Sequence, residues 1–307
     1  MSSPETVVAT ATVVSTEVLS PHFIRIELGG EELADFGVDG PYLDQRIKLI
    51  FPPPGGTLPD LRAAGDNWYS VLAELPEGEQ CHIRVYSVRE VRGEGRDKRL
   101  LVDFVLHLEP GATGPAASWA AAAKPADNLI VVGPRIGADW GGIEYAPGAD
   151  DRVVLAGDET AVPAISRILG DIADDVRGHV FLEVPVSADI LDIAAPASIL
   201  VSWLPRDGAG HGERLIPAVL DHLGTQQHQS VPDDEVDPDL WETSTYSSSE
   251  DDLDAPSAGG IPGVYVWIAG ESKVVTTLRR HLVNDLGIDR SQVAFMGYWR
   301  RGVSMRG

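Results

Sequence analysis

A single cysteine in 307 residues, Cys81, removes two kinds of chemistry. No internal disulfide and no cysteine-based metal cluster can be built from it, which fits a reducing, cytoplasmic setting. Cys81 leads into the strand-like His82-Ile-Arg-Val85 with no neighbour to activate it, so it reads as a structural thiol. Basic residues are scarce: 24 Lys and Arg face 47 Asp and Glu, a net charge of −23. Nucleic acid is therefore not an expected partner, because phosphate binding needs a basic surface. Apolar runs of ~18 residues are absent, so no membrane-spanning helix is expected. The opening Met-Ser-Ser-Pro-Glu has neither the basic start nor the apolar core of a secretory signal, so a cytoplasmic protein is expected.

What is present is the composition of a globular chain, 43% hydrophobic and 23% charged, long enough for two cores. The first third alternates apolar and polar residues at the period of a half-buried strand, as in Phe23-Ile-Arg-Ile-Glu-Leu28 and Gln45-Arg-Ile-Lys-Leu-Ile-Phe51. Further strands are predicted over 6–19, 82–91 and 99–107, and a helix over 114–124. Together they favour a small antiparallel β-barrel over residues 1–135. From residue 150 to 307 the rhythm changes to alternating strands and helices, predicting a parallel sheet covered on both faces. Strands are expected over 152–156, 179–184, 198–204, 264–269 and 293–298. Helices are expected over 161–174, 188–193, 213–223 and 271–286. Residues 225–260 interrupt this pattern with ten acidic residues and no Lys or Arg. They read as a disordered acidic insertion, with Trp241 and Tyr246 leaving a protein-docking role open beside that of a solvated loop.

Two stretches carry the chemistry. Arg84-Val-Tyr-Ser-Val-Arg89 places Arg84 and Tyr86 on one strand face, with Ser87 on the other. A cation, an aromatic ring and a hydroxyl suit a flat, phosphate-bearing cofactor such as FAD, although an ordinary solvated strand carries the same residues. His107 precedes Gly111-Ala-Thr-Gly114, then Pro115, Ala116 and a helix; small residues and unpaired helix-start N–H groups suit a pyrophosphate. Trp119 reads as a core anchor beneath that turn. The second stretch, Gly157-Asp-Glu-Thr-Ala-Val-Pro-Ala164, follows a buried-type strand as a nucleotide-binding turn does. Asp158, Glu159 and Thr160 equally suit a helix N-cap.

These blocks resemble the siderophore-interacting proteins, a family of flavin-dependent ferric-siderophore reductases related to ferredoxin–NADP reductases. Trp203-Leu-Pro-Arg-Asp-Gly208, Trp267-Ile-Ala-Gly-Glu-Ser272 and Gly297-Tyr-Trp-Arg300 continue the likeness in order, over nearly the whole chain except the acidic insertion. The resemblance implies FAD held by Arg84, Tyr86 and Ser87, with His107, Gly114, Pro115 and Ala116 at its pyrophosphate. It places Asp158, Glu159 and Thr160 near the flavin ring and the entering nicotinamide of NAD(P)H, and Glu271, a further cofactor-binding candidate, repeats the same strand-turn-helix logic. Ser118 departs from the arginine that relatives often carry there. No catalytic side chain and no metal ligand is implied; the substrate would be a ferric siderophore. Lys48, Arg135 and Lys273 are candidates to attract an anionic chelate. Arg206 is placed to read a 2′-phosphate, with Asp207 beside it pulling the other way. A ferredoxin-linked or general flavin reductase, or a non-catalytic siderophore-binding module, are the alternatives.

Overall fold

The computed structural model describes residues 5–108, 113–149, 152–224, 232, 236, 240–243, 246–247 and 261–302. The chain divides into two compact units, with the break between Ile143 and Glu144.

The first unit is a seven-stranded, wholly antiparallel sheet. Its strands are β1 (Thr6–Ser20), β2 (Phe23–Gly29), β3 (Arg46–Phe51), β4 (His82–Ser87), β5 (Glu90–Arg92), β6 (Arg99–Val105) and β7 (Asn128–Pro134). In space they run β4-β3-β7-β1-β2-β6-β5. The first half of β1 pairs with β7 and its second half with β2, with register shifts after Val13 and Val18 that bend the strand. The sheet therefore curls. Every second residue, among them Ala9, Val13, Ile26, Leu49, Val102 and Val131, points into the enclosed core.

Residues 82–91, expected as one strand, are two. β4 pairs with β3 at one edge and β5 with β6 at the other, and only Val88 and Arg89 lie between them. The Val88 N–H donates to the Gln45 carbonyl and the Arg89 N–H to that of Leu101, so this crossing draws the two open edges together. The sequence period cannot show this, because both halves keep the same alternation. On the outer face of β3 and β7, the helix α1 (Trp68–Ala73) covers Ile50, Ile130 and Val132 with Trp68 and Leu72. The helix α2 (Pro115–Ala122) packs on β2, β3, β4 and β6, and Trp119 lies against Phe51 and Phe104.

The second unit holds the parallel strands β8 (Arg152–Gly157), β9 (Gly178–Val184), β10 (Ile199–Pro205), β13 (Val264–Glu271) and β14 (Val293–Trp299). Two short strands, β11 (Trp241–Thr243) and β12 (Tyr246–Ser247), join them. The order is β10-β9-β8-β13-β14-β11-β12. The helices are α3 (Val162–Asp171), α4 (Leu215–Leu223) and α5 (Ser272–Arg279), the last continuing as a π-helical turn, Arg280–Asp285. α4 and α5 bury Val154, Val266, Ile268 and Phe295 on one face, and the alternate residues Leu155, Tyr265 and Trp267 are buried too.

Two expectations are corrected here. The predicted helix at 188–193 is one 3-10 turn, Ser187–Asp189, followed by extended chain. The expected disordered insertion contains β11 and β12, which pair antiparallel on the edge of the sheet, making it mixed. Buried Glu242 on β11 receives two hydrogen bonds from Arg279 at 2.6 and 2.7 Å, and Trp241 stacks on Tyr298. Most of the remaining positions in 225–260 lie outside the described residues, so the docking role expected there does too.

Candidate functional site

Numbered along the chain, the five parallel strands lie in the order third, second, first, fourth, fifth. The order reverses between β8 and β13, and ligands of open α/β sheets bind beyond the carboxyl ends of the strands at such a point. Gly157-Asp-Glu-Thr160 closes β8 and Gly270-Glu-Ser272 closes β13, so both turns singled out in the sequence meet there. A Cβ on Gly157 would stand 2.6 Å from the Ala269 carbonyl oxygen, and one on Gly270 (φ +144°) 2.7 Å from the Asp158 carboxyl. Only glycine allows this approach.

Asp158 is the knot of this turn. One carboxylate oxygen accepts the Thr160 N–H at 2.9 Å and its hydroxyl at 2.5 Å. The other accepts the Glu271 N–H at 2.7 Å and the Trp299 indole N–H at 2.8 Å. Burial pushes its pKa up to about 6, helped by neighbouring Glu159 and opposed by the Thr160 and Trp299 hydrogen bonds.

Glu159 and Arg206, both expected at the cofactor, are given to each other. The buried Arg206 guanidinium donates to the Glu159 carboxylate at 2.7 and 2.9 Å and to Glu183 at 3.4 Å. Glu183 also accepts the N–H groups of Gly212, Arg214 and Leu215, holding the start of α4. A buried cation facing two carboxylates has no free fork for a 2′-phosphate, so the expected role of Arg206 is corrected. Sequence reading missed Glu183, although an acid inside the apolar run His179-Val-Phe-Leu-Glu-Val184 was the available signal.

Glu271 caps its own helix, accepting the Lys273 and Val274 N–H groups at 2.8 and 3.2 Å, and the Arg301 N–H at 3.3 Å. At α3 the Ala161 and Val162 N–H groups donate to the carbonyls of Asp158 and Glu159. The α5 start is thus capped by the Glu271 side chain, whereas no side chain caps α3 and the expected N-cap role of Asp158, Glu159 and Thr160 there is corrected.

The first unit differs. α2 begins after Gly114 with Pro115 at its first position, no side chain caps it, and its first turn carries no acid. A Cβ on Gly114 would meet nothing within 4 Å. Space beside Gly114 is therefore open. Arg84 and Tyr86 lie on the same strand face, opposite Leu49 and Ile47. The half-buried Tyr86 ring packs on Phe104, centroids 4.5 Å apart, and burial pushes its phenol pKa up against the pull of Arg84. Arg84 donates to the Ile83 carbonyl at 2.6 Å. Ser87 is buried on the opposite face, across from Arg46, and His107 is half-buried just past β6. Arg89 pairs with Asp103, as does Arg25.

The candidate substrate cations lie on different elements. Lys48 lies opposite Val85, out of phase with Arg84 and Tyr86, with its ammonium 5.4 Å from the Trp68 ring centre. Burial, then Arg46, holds its pKa below the usual lysine range. Arg135 is bonded to the Asp35 carboxylate. Lys273 belongs to the second unit, at the start of α5.

Comparison with known proteins identifies the family. Residues 12–138 match the siderophore-interacting FAD-binding domain and residues 150–302 the siderophore-interacting protein domain. An uncharacterised protein of Mycobacterium tuberculosis is 33% identical, the alignment covering 94% of this chain and 89% of that one. The ferric vibriobactin reductase ViuB of Vibrio cholerae is 28% identical over 94% and 88% of the two chains. An NADPH-dependent ferric-chelate reductase of Escherichia coli is 28% identical over 94% and 91%. Among solved structures, a siderophore utilization protein from T. fusca superposes with a TM-score of 0.67 at 27% identity, covering 99% and 96%. The siderophore-interacting protein SipS of Aeromonas hydrophila gives 0.66 at 27%, covering 98% and 94%. The chain belongs to the siderophore-interacting protein family, with a flavin-binding first domain.

Proposed function

We propose that this siderophore-interacting family member is a ferric-siderophore reductase that binds FAD in its first unit and NAD(P)H in its second. The observation that carries the reading is a contrast between helix starts. The α5 turn is closed by its own glutamate, whereas the α2 turn is uncapped, acid-free and open above Gly114. An unneutralised helix start is where a pyrophosphate gains most. Arg84 adds a cation, and Tyr86 offers a ring fixed from behind by Phe104 and Phe51. Pro115 and Ala116 form the first turn of α2, and His107, just past β6, and Ser87, at the end of β4, are further candidates in this reading.

In the second unit the reduced dinucleotide lies across the carboxyl ends of β8 and β13. Asp158 does not touch the reacting atoms in this reading. It holds the Thr160 turn, the Glu271 turn and Trp299 in one arrangement, so the surface offered to nicotinamide is rigid. When bound, the flavin accepts two electrons from nicotinamide and passes them on singly. Fe(III) suits the hard oxygen donors of a siderophore better than Fe(II) does, so one added electron loosens the metal. Lys48 is the cation best placed to meet an anionic chelate, since an aromatic neighbour and partial burial keep it from being fully hydrated. Lys273 remains a second candidate. Arg135, already paired with Asp35, is a weaker one.

The test is spectroscopic. Purified protein loaded with FAD should be yellow, bleach anaerobically with NADH or NADPH, and regain colour when a ferric siderophore is added with a ferrous trap present. Protein that takes up no flavin would point to a siderophore-binding module, and bleaching without iron-dependent recovery to a general flavin reductase.

A further inference from the structure

The tip of β9, the second strand of the sheet, is where open α/β proteins read the adenosine ribose of a dinucleotide. In this chain the tip of β10 is fastened onto it. The Arg206 N–H donates to the Val184 carbonyl at 2.8 Å and the Asp207 N–H to that of Pro185 at 3.1 Å. Asp207 has a left-handed backbone (φ +46°), and its carboxylate receives the Ser187 N–H at 2.9 Å and the Ser187 hydroxyl at 2.6 Å. These bonds hold the carboxyl below its usual range, with a smaller pull from Arg214. The side chain is nevertheless exposed, and a carboxylate has acceptor positions beyond the two that Ser187 fills.

Arg206 is buried and paired twice. Asp189 is buried and accepts the Val186 N–H. Arg214 is exposed, and it acts on Asp207 through its charge without a direct ion pair.

We propose that Asp207 is the residue that selects NADH over NADPH, by accepting the ribose 2′-hydroxyl and repelling a 2′-phosphate. This deepens the reductase reading and rests on it. A 2′-hydroxyl donates a hydrogen bond to a fixed carboxylate, whereas a 2′-phosphate brings a second anion to the same place. Ser187 acts through Asp207: its two donors aim the carboxylate outward and make its backbone conformation worth adopting. Arg214 is the counterweight. With the carboxylate neutralised, the charge of Arg214 is available to a phosphate.

The deciding measurement needs no electron transfer. Calorimetric titration of the FAD-loaded protein with ADP-ribose and with 2′-phospho-ADP-ribose should show the unphosphorylated ligand bound about tenfold or more tightly. Asp207→Asn, which keeps the turn because asparagine tolerates a left-handed backbone, should shrink that ratio to near one or reverse it. Adding Arg214→Ala to Asp207→Asn should abolish any reversal. Steady-state kcat/KM for NADH and NADPH should move in parallel. Equal or tighter binding of the 2′-phosphate form by the unaltered protein, or a ratio untouched in a folded Asp207→Asn variant, overturns the proposal; the reductase reading then survives if NADPH still bleaches the flavin. If neither ligand binds and neither nicotinamide bleaches it, both fall.

Discussion

Arg206 shows how one residue type admits two opposite uses. From its place just past β10 it suited a phosphate, and in the fold it neutralises two buried carboxylates. Arg206→Ala would leave Glu159 and Glu183 uncompensated inside the sheet, and we expect a loss of about 3–5 kcal/mol in urea unfolding. Arg206→Met combined with Glu159→Gln should lose less than Arg206→Ala alone, because it removes charge from both sides. Asp158 makes a prediction about pH. Its folded pKa, about 6, lies above the unfolded value near 3.8, so between the two the folded state binds the proton more tightly. Its contribution therefore becomes more favourable as pH falls through 6 and is lost as pH rises through the same range. The melting temperature of the natural protein minus that of Asp158→Asn should be larger at pH 5 than at pH 7.5. A difference that is flat with pH would place the titration elsewhere.

At the scale of elements, helix starts divide into closed and open ones. α5 is closed by Glu271, and α4 is held by Glu183 from a neighbouring strand. α2 has neither device; α3 also lacks a side-chain cap, but its Ala161 and Val162 N–H groups are taken by the Asp158 and Glu159 carbonyls. Gly114→Asp should place a carboxylate where the phosphate is proposed to bind, compatible with the φ of −76° at that residue. FAD affinity by equilibrium dialysis should fall at least about tenfold, while thermal stability stays within about 1 kcal/mol of the original. Comparable loss of both would mean the turn is structural. The β11–β12 hairpin carries the opposite lesson. An acidic, serine-rich stretch has little to bury, yet Glu242 and Trp241 dock it on β14 through Arg279 and Tyr298. Those partners lie 37 and 57 positions further along the chain, beyond the reach of any local pattern.

For the whole molecule, a net charge of −23 sets the approach of substrates. An anionic chelate meets a repulsive field that salt screens over a Debye length of about 8–10 Å. The value of kcat/KM for an anionic ferric chelate should therefore rise between low and physiological ionic strength, and that for a neutral chelate should stay level. A fall with salt would mean that a local basic patch dominates the encounter. Among the described residues no helix is long and apolar enough to cross a membrane, and no cluster of three or more His, Cys, Asp or Glu could hold a metal.

Alternation of apolar residues, helix-forming runs and glycine-marked turns determined by themselves the antiparallel first unit, the strand–helix second unit and the two turns that meet at the switch point. These signals are local: side-chain period and backbone freedom act within a few residues, so they are legible in order along the chain. Tertiary structure alone decided which charges are free. The pairing of Arg206 with Glu159 and Glu183, the Glu271 and Trp299 donors gathered by Asp158, the crossing at Val88 and the bonding of Ser187 to Asp207 all join residues distant in sequence. Burial makes an unpaired charge costly, and only the folded arrangement of strands selects its partner.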